Sequence, residues 1–213
     1  GRASELAEIG RILADPACRL LTLLGPGGIG KTRLSLEAAR QSRKEAVVWV
    51  ALASVSTVSQ MVSAVGEALK LSFTGQDEPQ AALFTHLRER HMLIVLDNFE
   101  HLLDGADLVH DILQQALGVE LLVTSRVRLD LQAEWIFDVE GMAYPTEGAA
   151  YAPVELWQFS AVQLFIQRAT QVQARFSPDE ITLRAIVQIC QHVAGMPLAI
   201  ELAASWLKVL IVE

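Results

Sequence analysis

Short apolar runs alternate with longer amphipathic stretches through the first 140 residues of the chain. The apolar runs are rich in β-branched and aliphatic side chains, which is typical of strands that are buried on both faces of a sheet. Five runs are predicted as strands: residues 19–24, 46–52, 92–97, 120–124 and 135–139. Because amphipathic stretches separate them, the pattern predicts an α/β fold, in which helices flank a five-stranded parallel sheet.

The amphipathic stretches have the spacing of helices that bury one face. They are predicted as helices near residues 31–43, 58–71, 79–90 and 106–117. Gly118 is expected to stop the last of these, since glycine is favoured just beyond the end of a helix.

The composition changes after residue 140. Two prolines and two glycines with little periodicity predict a linker over residues 141–158. Three helices are predicted after the linker. Ser160 is expected to cap the first, which runs to about residue 175, and a capping box at Ser177 is expected to begin the second, which ends before Gly195. The third is predicted from Pro197 through Leu210. The expected organisation is an α/β domain at 1–140, the linker, and a small helical domain at 159–213.

Composition narrows the possible functions. With 213 residues, of which 52% are hydrophobic and 20% charged, the chain is expected to form a well-filled core. No uninterrupted apolar run reaches the roughly 18–20 residues that a bilayer span needs, and the first residues do not resemble a signal peptide. The formal net charge of −8 argues against a dominant nucleic-acid surface, so no direct contact with nucleic acid and no membrane contact are expected.

Neither the cysteines nor the histidines predict a metal site or a nucleophile. Cys18 and Cys190 are far apart in apolar surroundings and are predicted to be buried thiols. The five histidines show no pairing with metal-ligand spacing and are expected to have ordinary polar roles: His86, His91, His101, His110 and His192.

A phosphate-binding loop is predicted between the first strand and the first predicted helix. Its residues are Gly25, Pro26, Gly27, Gly28, Ile29, Gly30, Lys31 and Thr32. Glycines at this spacing let backbone N–H groups point at phosphate oxygens, and the helix N-terminus adds a partial positive charge. Lys31 is predicted to reach the terminal phosphates and the Thr32 hydroxyl to bind Mg²⁺. Arg33, which follows directly, is included among the predicted nucleotide contacts. A purely structural glycine turn is the alternative.

Two further strands end in polar residues that suit the same site. Residues 93–96 are aliphatic and lead into Asp97, which is the form of a Walker B strand, so Asp97 is predicted to hold Mg²⁺ through a water. Residues 121–125 lead into Arg126. Because ligands of open α/β sheets bind at the carboxyl ends of the strands, Arg126 is expected to face the terminal phosphate. An ordinary surface arginine is the alternative.

Taken together, these motifs resemble the STAND class of P-loop ATPases, the signalling switches related to NB-ARC domains. The resemblance covers nearly the whole chain, and the Gly195-Met-Pro197-Leu-Ala segment is its most specific part. Within the class, the chain looks most similar to bacterial ATPases of large transcriptional regulators. The resemblance implies ATP and ADP as ligands with Mg²⁺, Arg2 near the adenine, and Pro197 packed on the base. It also implies that the strand before Arg126 lies between the phosphate-loop strand and the Walker B strand.

The chain departs from the family pattern after Asp97. Many relatives carry a second acid there that orients the attacking water, whereas this chain has Asn98, and the nearest acid is Glu100. An amide can position a water but cannot take its proton, so hydrolysis is expected either to be slow or to depend on Glu100. The abrupt start and the apolar end lead us to expect a piece of a longer protein. The phosphate loop leads us to expect that this protein is cytoplasmic. The other domains of that longer protein would be partners of this chain, and the protein would oligomerise on ATP binding.

Three functions compete at this point: a regulated nucleotide switch, an AAA-like motor that acts on a macromolecule, and a small-molecule kinase. The acidic balance disfavours the basic loops of a motor. The region after Arg128 offers neither the acceptor pocket nor the basic lid of a kinase. The sequence therefore favours the switch.

Overall fold

The computed structural model describes residues 1–72, 78–149 and 151–207. The chain divides into two compact units. The sheet unit comprises Ala3–Gly25 and Lys31–Val139. The helical unit comprises Gly1–Arg2, Pro26–Gly30 and the chain from Glu140 onward. The sequence pattern did not predict that the middle of the phosphate loop would group with the helices.

The sheet unit is built on five parallel strands. They are β1 (Leu20–Leu24), β2 (Ala46–Ala51), β3 (Met92–Asp97), β4 (Val119–Ser125) and β5 (Glu134–Asp138). The spatial order is β2-β3-β4-β1-β5, so β4 lies between β1 and β3 as the family resemblance implied. The predicted α/β fold with a five-stranded parallel sheet is thus confirmed. A mostly aliphatic sequence suits β1, β3 and β4, which are almost entirely buried, while the edge strands β2 and β5 are partly exposed.

The strand register brings the carboxyl ends of the central strands to one level. Leu24 of β1 pairs with Ser125 of β4 and with Asp138 of β5, and Ala51 of β2 pairs with Asp97 of β3. Residues that directly follow β1, β3 and β4 therefore emerge at the same edge of the sheet, where a ligand of an open α/β sheet binds.

Five helices and two short 3₁₀ turns flank the strands in the described part of the sheet unit. The helices are α1 (Ala3–Leu13), α2 (Lys31–Gln41), α3 (Val58–Ala68), α4 (Pro79–Leu87) and α5 (Ala106–Gln115). The turns are Phe99–His101 and Leu103–Gly105. The four predicted helices are present and end two or three residues early. Helix α1 was not predicted from the sequence, although Ile9 and Leu13, four residues apart, are both buried.

Arg19 rather than Gly118 completes the end of α5. Its guanidinium donates hydrogen bonds to the carbonyl oxygens of Leu113 and Ala116, both at 2.7 Å, and to Val119 O at 2.9 Å. The last carbonyls of a helix have no partner within the helix, so a buried helix end needs such a donor. The expected stop at Gly118 is therefore corrected: α5 ends at Gln115, and a side chain from the start of β1 satisfies its end.

The helical unit contains four helices in the described residues: α6 (Pro153–Leu156), α7 (Ser160–Val172), α8 (Glu180–His192) and α9 (Pro197–Ser205). Short α6 lies inside the predicted linker. Two predicted caps are wrong. Phe159, not Ser160, is the N-cap residue of α7, and Asp179, not Ser177, caps α8 by accepting a hydrogen bond from Thr182 N at 2.8 Å. Leu210, the predicted end of the last helix, lies outside the described residues.

Both cysteines are buried, as predicted. Cys18 lies in the sheet unit with 1% of its surface exposed, and Cys190 lies in the core of the helical unit with 0% exposed. The rest of that core comes from apolar side chains of the four helices, including Leu156, Phe165 and Ile200. Across residues 1–72, 78–149 and 151–207, no helix has the length and apolarity that crossing a membrane requires.

Candidate nucleotide-binding site

The loop that follows β1 has the backbone shape of a phosphate cradle. Gly28 and Gly30 have φ values of +80° and +99°, a region that residues with a Cβ rarely adopt. Gly25 N donates to Ser125 O at 3.3 Å, which ties the start of the loop to β4. Since α2 begins at Lys31, the loop delivers the chain directly into a helix N-terminus, where backbone N–H groups favour an anion.

Lys31 is buried at the start of α2. Only 8% of its surface is exposed, and Nζ donates a hydrogen bond to Gly25 O at 2.7 Å. Burial lowers the pKa of Lys31, while the charges of Glu100 and Asp97 act to raise it and that of Arg126 to lower it. The charges of Glu100, Asp97 and Arg126 are thus close enough to influence the Lys31 amine electrostatically.

A cluster of hard oxygen atoms lies at the carboxyl end of β3. Thr32 Oγ1 lies 2.9 and 3.2 Å from the two carboxylate oxygens of Asp97, and Thr124 Oγ1 donates to Asp97 Oδ1 at 2.7 Å. Mg²⁺ prefers such oxygen ligands and keeps several of its waters, so a hydroxyl beside a carboxylate fits this ion. Within the described residues, no group of three or more His, Cys, Asp and Glu side chains could hold a metal. The Thr32 hydroxyl and the Asp97 carboxylate remain the candidate magnesium ligands because they lie side by side.

Sequence reasoning missed the role of Thr124. Its hydroxyl, 1% exposed, donates to Asp97 and accepts a hydrogen bond from Asn98 N at 2.9 Å. A single side chain on β4 thus fixes both residues at the end of β3. The signal that the sequence offered was a threonine directly after the aliphatic residues 121–123 of this strand.

Glu100 and Arg126, which were predicted separately, form an ion pair. Arg126 Nε lies 2.8 Å from Glu100 Oε1. Glu100 is in the 3₁₀ turn after β3, and Arg126 directly follows β4, so neighbouring strands bring them together. Glu100 Oε2 is buried and makes no hydrogen bond in the described structure. The pair thus keeps one carboxylate oxygen available for a further donor.

In the helical unit, Arg2 holds the phosphate loop. Its guanidinium donates to Ile29 O and to Glu140 O, each at 2.9 Å. The loop also meets the start of α9: Leu198 N donates to Gly28 O at 3.2 Å, and a Cβ added to Gly28 would lie 2.9 Å from Leu198 Cβ. Pro197 Cγ would lie 3.9 Å from a Cβ at Gly30. Leu198 was not among the predicted site residues, and its signal was its position next to Pro197.

Pro26, Gly27 and Arg33 are the remaining predicted nucleotide contacts. Gly27 lies inside the loop, and Pro26 O accepts a hydrogen bond from Ile29 N at 3.4 Å, which closes a turn. Arg33 is exposed on α2, one residue beyond Thr32.

Residues 4–129 match the sequence profile of the NB-ARC domain. The chain belongs to the NB-ARC domain family. The predicted resemblance is thereby confirmed, and the NB-ARC match spans β1, β3, β4 and the loop between β1 and α2.

Bacterial relatives of this NB-ARC chain are considerably longer proteins. A protein of Mycobacterium tuberculosis that is named as an HTH-type transcriptional regulator is 35% identical over 193 residues, which are 88% of this chain and 20% of the relative. An uncharacterised protein of the same organism is 30% identical over 213 residues and is covered to 49%. The regulatory protein AfsR of Streptomyces griseus is 29% identical, with 20% of its length covered. The chain thus spans between a fifth and a half of these relatives.

Solved structures support the fold. A STAND protein with a tetratricopeptide repeat sensor from Pyrococcus horikoshii matches 92% of this chain and 28% of its own, with a TM-score of 0.55 and 16% identity. Cdc6p from Pyrobaculum aerophilum matches 95% of this chain and 60% of its own, with a TM-score of 0.61 and 19% identity. At these identities the likeness concerns the fold, which is that of P-loop ATPases.

Proposed function

We propose that this NB-ARC chain is an ATP/ADP-binding switch that hydrolyses ATP slowly with Mg²⁺. It would act inside a longer cytoplasmic protein that regulates transcription. The observation that carries the proposal is the cluster at the end of β3, where Thr32 and Thr124 both meet the Asp97 carboxylate. The buried amine of Lys31 lies one residue before Thr32, at the mouth of a glycine loop. This set is suited to a polyphosphate that carries a divalent cation.

Each predicted residue has a role in this proposal. Lys31 neutralises the β- and γ-phosphates, and the loop N–H groups of residues 25–30 bind their oxygens. Thr32 and Asp97 hold Mg²⁺, which supplies charge neutralisation to the terminal phosphates when it is bound. Arg126 binds the γ-phosphate and so distinguishes ATP from ADP. In line with the family resemblance, Arg2 would lie near the adenine and Pro197 would pack on the base, and Arg33 would contact the nucleotide.

Slow turnover follows from the residues that would handle the attacking water. Asn98 stands where a general base is expected, and an amide cannot take a proton. The nearest acid, Glu100, is engaged by Arg126 at 2.8 Å. A switch requires a long-lived ATP state, and a weak base prolongs that state. We expect turnover well below the ~10 s⁻¹ that is typical of enzymes.

The surroundings of the switch are also part of the proposal. Because the relatives are much longer than this chain, the signal and the output would come from other domains of the same protein. The net charge of −8 supports a module that does not itself contact nucleic acid. ATP binding would favour oligomerisation.

Titration with a fluorescent ATP analogue, with and without Mg²⁺, tests the proposal. Lys31→Ala should weaken binding by at least about tenfold, since charge-assisted contacts to phosphate are among the strong ones. Arg40→Ala, which removes an exposed cation from the same helix, is the matched control and should bind normally. Circular dichroism checks that both variants fold. Equal affinities of two folded proteins would contradict the proposal, and turnover near 10 s⁻¹ would favour a motor over a switch.

A further inference from the structure

The ring of His101 connects the turn after β3 with the loop after β2. Its Nε2 atom lies 2.7 Å from Val55 O and 3.0 Å from Leu52 O. Both partners are backbone carbonyl oxygens, which only accept hydrogen bonds, so Nε2 must carry a proton. In the neutral ring, Nδ1 then carries a lone pair and can only accept.

That lone pair faces the side chain of Asn98. Asn98 Nδ2 lies 3.3 Å from His101 Nδ1, so the amide N–H donates to the ring. The Asn98 backbone is held independently: its φ is +69°, and its N–H donates to Thr124 Oγ1 at 2.9 Å. With the NH₂ group committed to His101, the side-chain carbonyl Oδ1 must point the other way.

We propose that His101 is a positioning residue, which turns the Asn98 amide so that Oδ1 accepts a hydrogen bond from the water that attacks ATP. The inference rests on the proposed function. Its chemical reason is the difference between an acid and an amide. A carboxylate presents an oxygen whichever way it rotates, whereas an amide presents an oxygen in one orientation and an NH₂ group in the other. A site that uses asparagine therefore needs a neighbour that selects the orientation.

Two substitutions separate the two ends of the ring. His101→Gln places an amide nitrogen near the position of Nε2, which keeps a donor for Val55 O but removes the acceptor opposite Asn98. His101→Asn places a carbonyl oxygen near the position of Nδ1, which keeps that acceptor but cannot reach Val55. Single-turnover hydrolysis should fall about five- to tenfold in His101→Gln, the effect of losing one hydrogen bond, and much less in His101→Asn. ATP affinity should be unchanged in both.

Other patterns would overturn the inference. A wild-type rate in His101→Gln would show that the orientation of Asn98 does not matter. Equal losses in both variants, or a larger loss in His101→Asn, would assign His101 to holding the loop at Val55. In the Asn98→Ala background, His101→Gln should have no further effect, because the group that it positions is gone. An undiminished effect there would also overturn it.

A spectroscopic test does not depend on nucleotide. A long-range ¹H–¹⁵N spectrum of the histidine ring, assigned with His101→Gln, should show the proton on Nε2, and a proton on Nδ1 would overturn the inference. Failure to bind nucleotide would contradict the proposed function, while the tautomer would still decide how His101 and Asn98 are bonded. Nucleotide binding without hydrolysis in the wild type would overturn the role assigned to both residues.

Discussion

Arg126 pairs with Glu100 across the carboxyl ends of two neighbouring strands, with Nε 2.8 Å from Oε1. The two partners differ in exposure: 60% of the Arg126 side chain is exposed, against 15% of the Glu100 side chain. An ion pair with one partner in solvent stabilises a protein by about 0–1 kcal/mol. Arg126 can therefore leave Glu100 for a stronger anion at little cost. The γ-phosphate of ATP is such an anion, and ADP lacks it.

Arg126→Ala should reduce the preference for ATP over ADP. We expect a several-fold loss of ATP affinity with ADP affinity unchanged, because only ATP offers the γ-phosphate that we propose Arg126 binds. Competitive titration with both nucleotides measures the ratio. Arg128→Ala, which removes another exposed arginine two residues further along, is the control and should keep the wild-type ratio. Parallel losses for ATP and ADP in Arg126→Ala would contradict a sensing role.

Gly28→Ala should damage the phosphate loop and its contact with α9. The left-handed backbone at φ +80° costs a residue with a Cβ roughly 1–2 kcal/mol, and the new Cβ would lie 2.9 Å from Leu198 Cβ. Nucleotide affinity should fall, and hydrogen exchange should lose the nucleotide-dependent protection that we expect at residues 195–199. Gly10→Ala in α1 is the control. A Cβ there meets nothing within 4 Å, so that variant should be slightly more stable.

Asp179→Ala should lower the melting temperature, whereas Ser177→Ala should leave it unchanged. The Asp179 carboxylate accepts the Thr182 N–H at the start of α8. Hydrogen bonding to the Thr182 side chain, and next to its backbone N–H, lowers the pKa of Asp179. A carboxyl group with a lowered pKa stabilises the fold above its unfolded pKa and loses that contribution as the pH falls through its folded pKa. Melting curves at neutral and acidic pH should therefore differ less in Asp179→Ala than in the wild type. A larger decrease in melting temperature for Ser177→Ala than for Asp179→Ala would instead support Ser177 as the cap, as the sequence suggested.

The two thiols should resist modification until the chain unfolds. Burial raises the pKa of Cys18 from 9.0 to about 11 and that of Cys190 from 9.0 to about 12. A thiol reagent at pH 8 should label neither in the folded protein and both in denaturant. Between pH 9 and 11 the unfolded chain loses these protons first, so stability falls as the pH rises through this window. The Cys18→Ala, Cys190→Ala double variant should show a shallower fall.

Much of the fold could be predicted because the signals are local. A run such as residues 92–96 is apolar throughout, and burial on both faces of a parallel sheet demands that composition. The phosphate loop is equally local, since positive φ angles at Gly28 and Gly30 require glycine wherever the loop occurs. Both kinds of signal depend on a few consecutive residues. They can therefore be recognised without knowing which other residues of the fold they contact.

Helix ends were harder, because their partners are distant in sequence. Arg19 completes α5 from about a hundred residues away, and no pattern near Gly118 announces it. The cap of α8 shows a subtler limit. Ser177 and Asp179 are both good cap residues, and the choice between them depends on where the chain enters the helix after Pro178.

The sequence by itself determined the strands, the loop at residues 25–32 and the acid at Asp97. Only the tertiary structure decided that Thr124 fixes Asp97, that Arg126 meets Glu100, and that Leu198 lies against Gly28. The reason is that hydrophobic periodicity reports whether a residue is buried, while hydrogen bonds and ion pairs depend on which strand lies beside which. Parallel strands are joined through crossovers, so neighbours in the sheet are distant in the chain, and composition carries no record of the pairing.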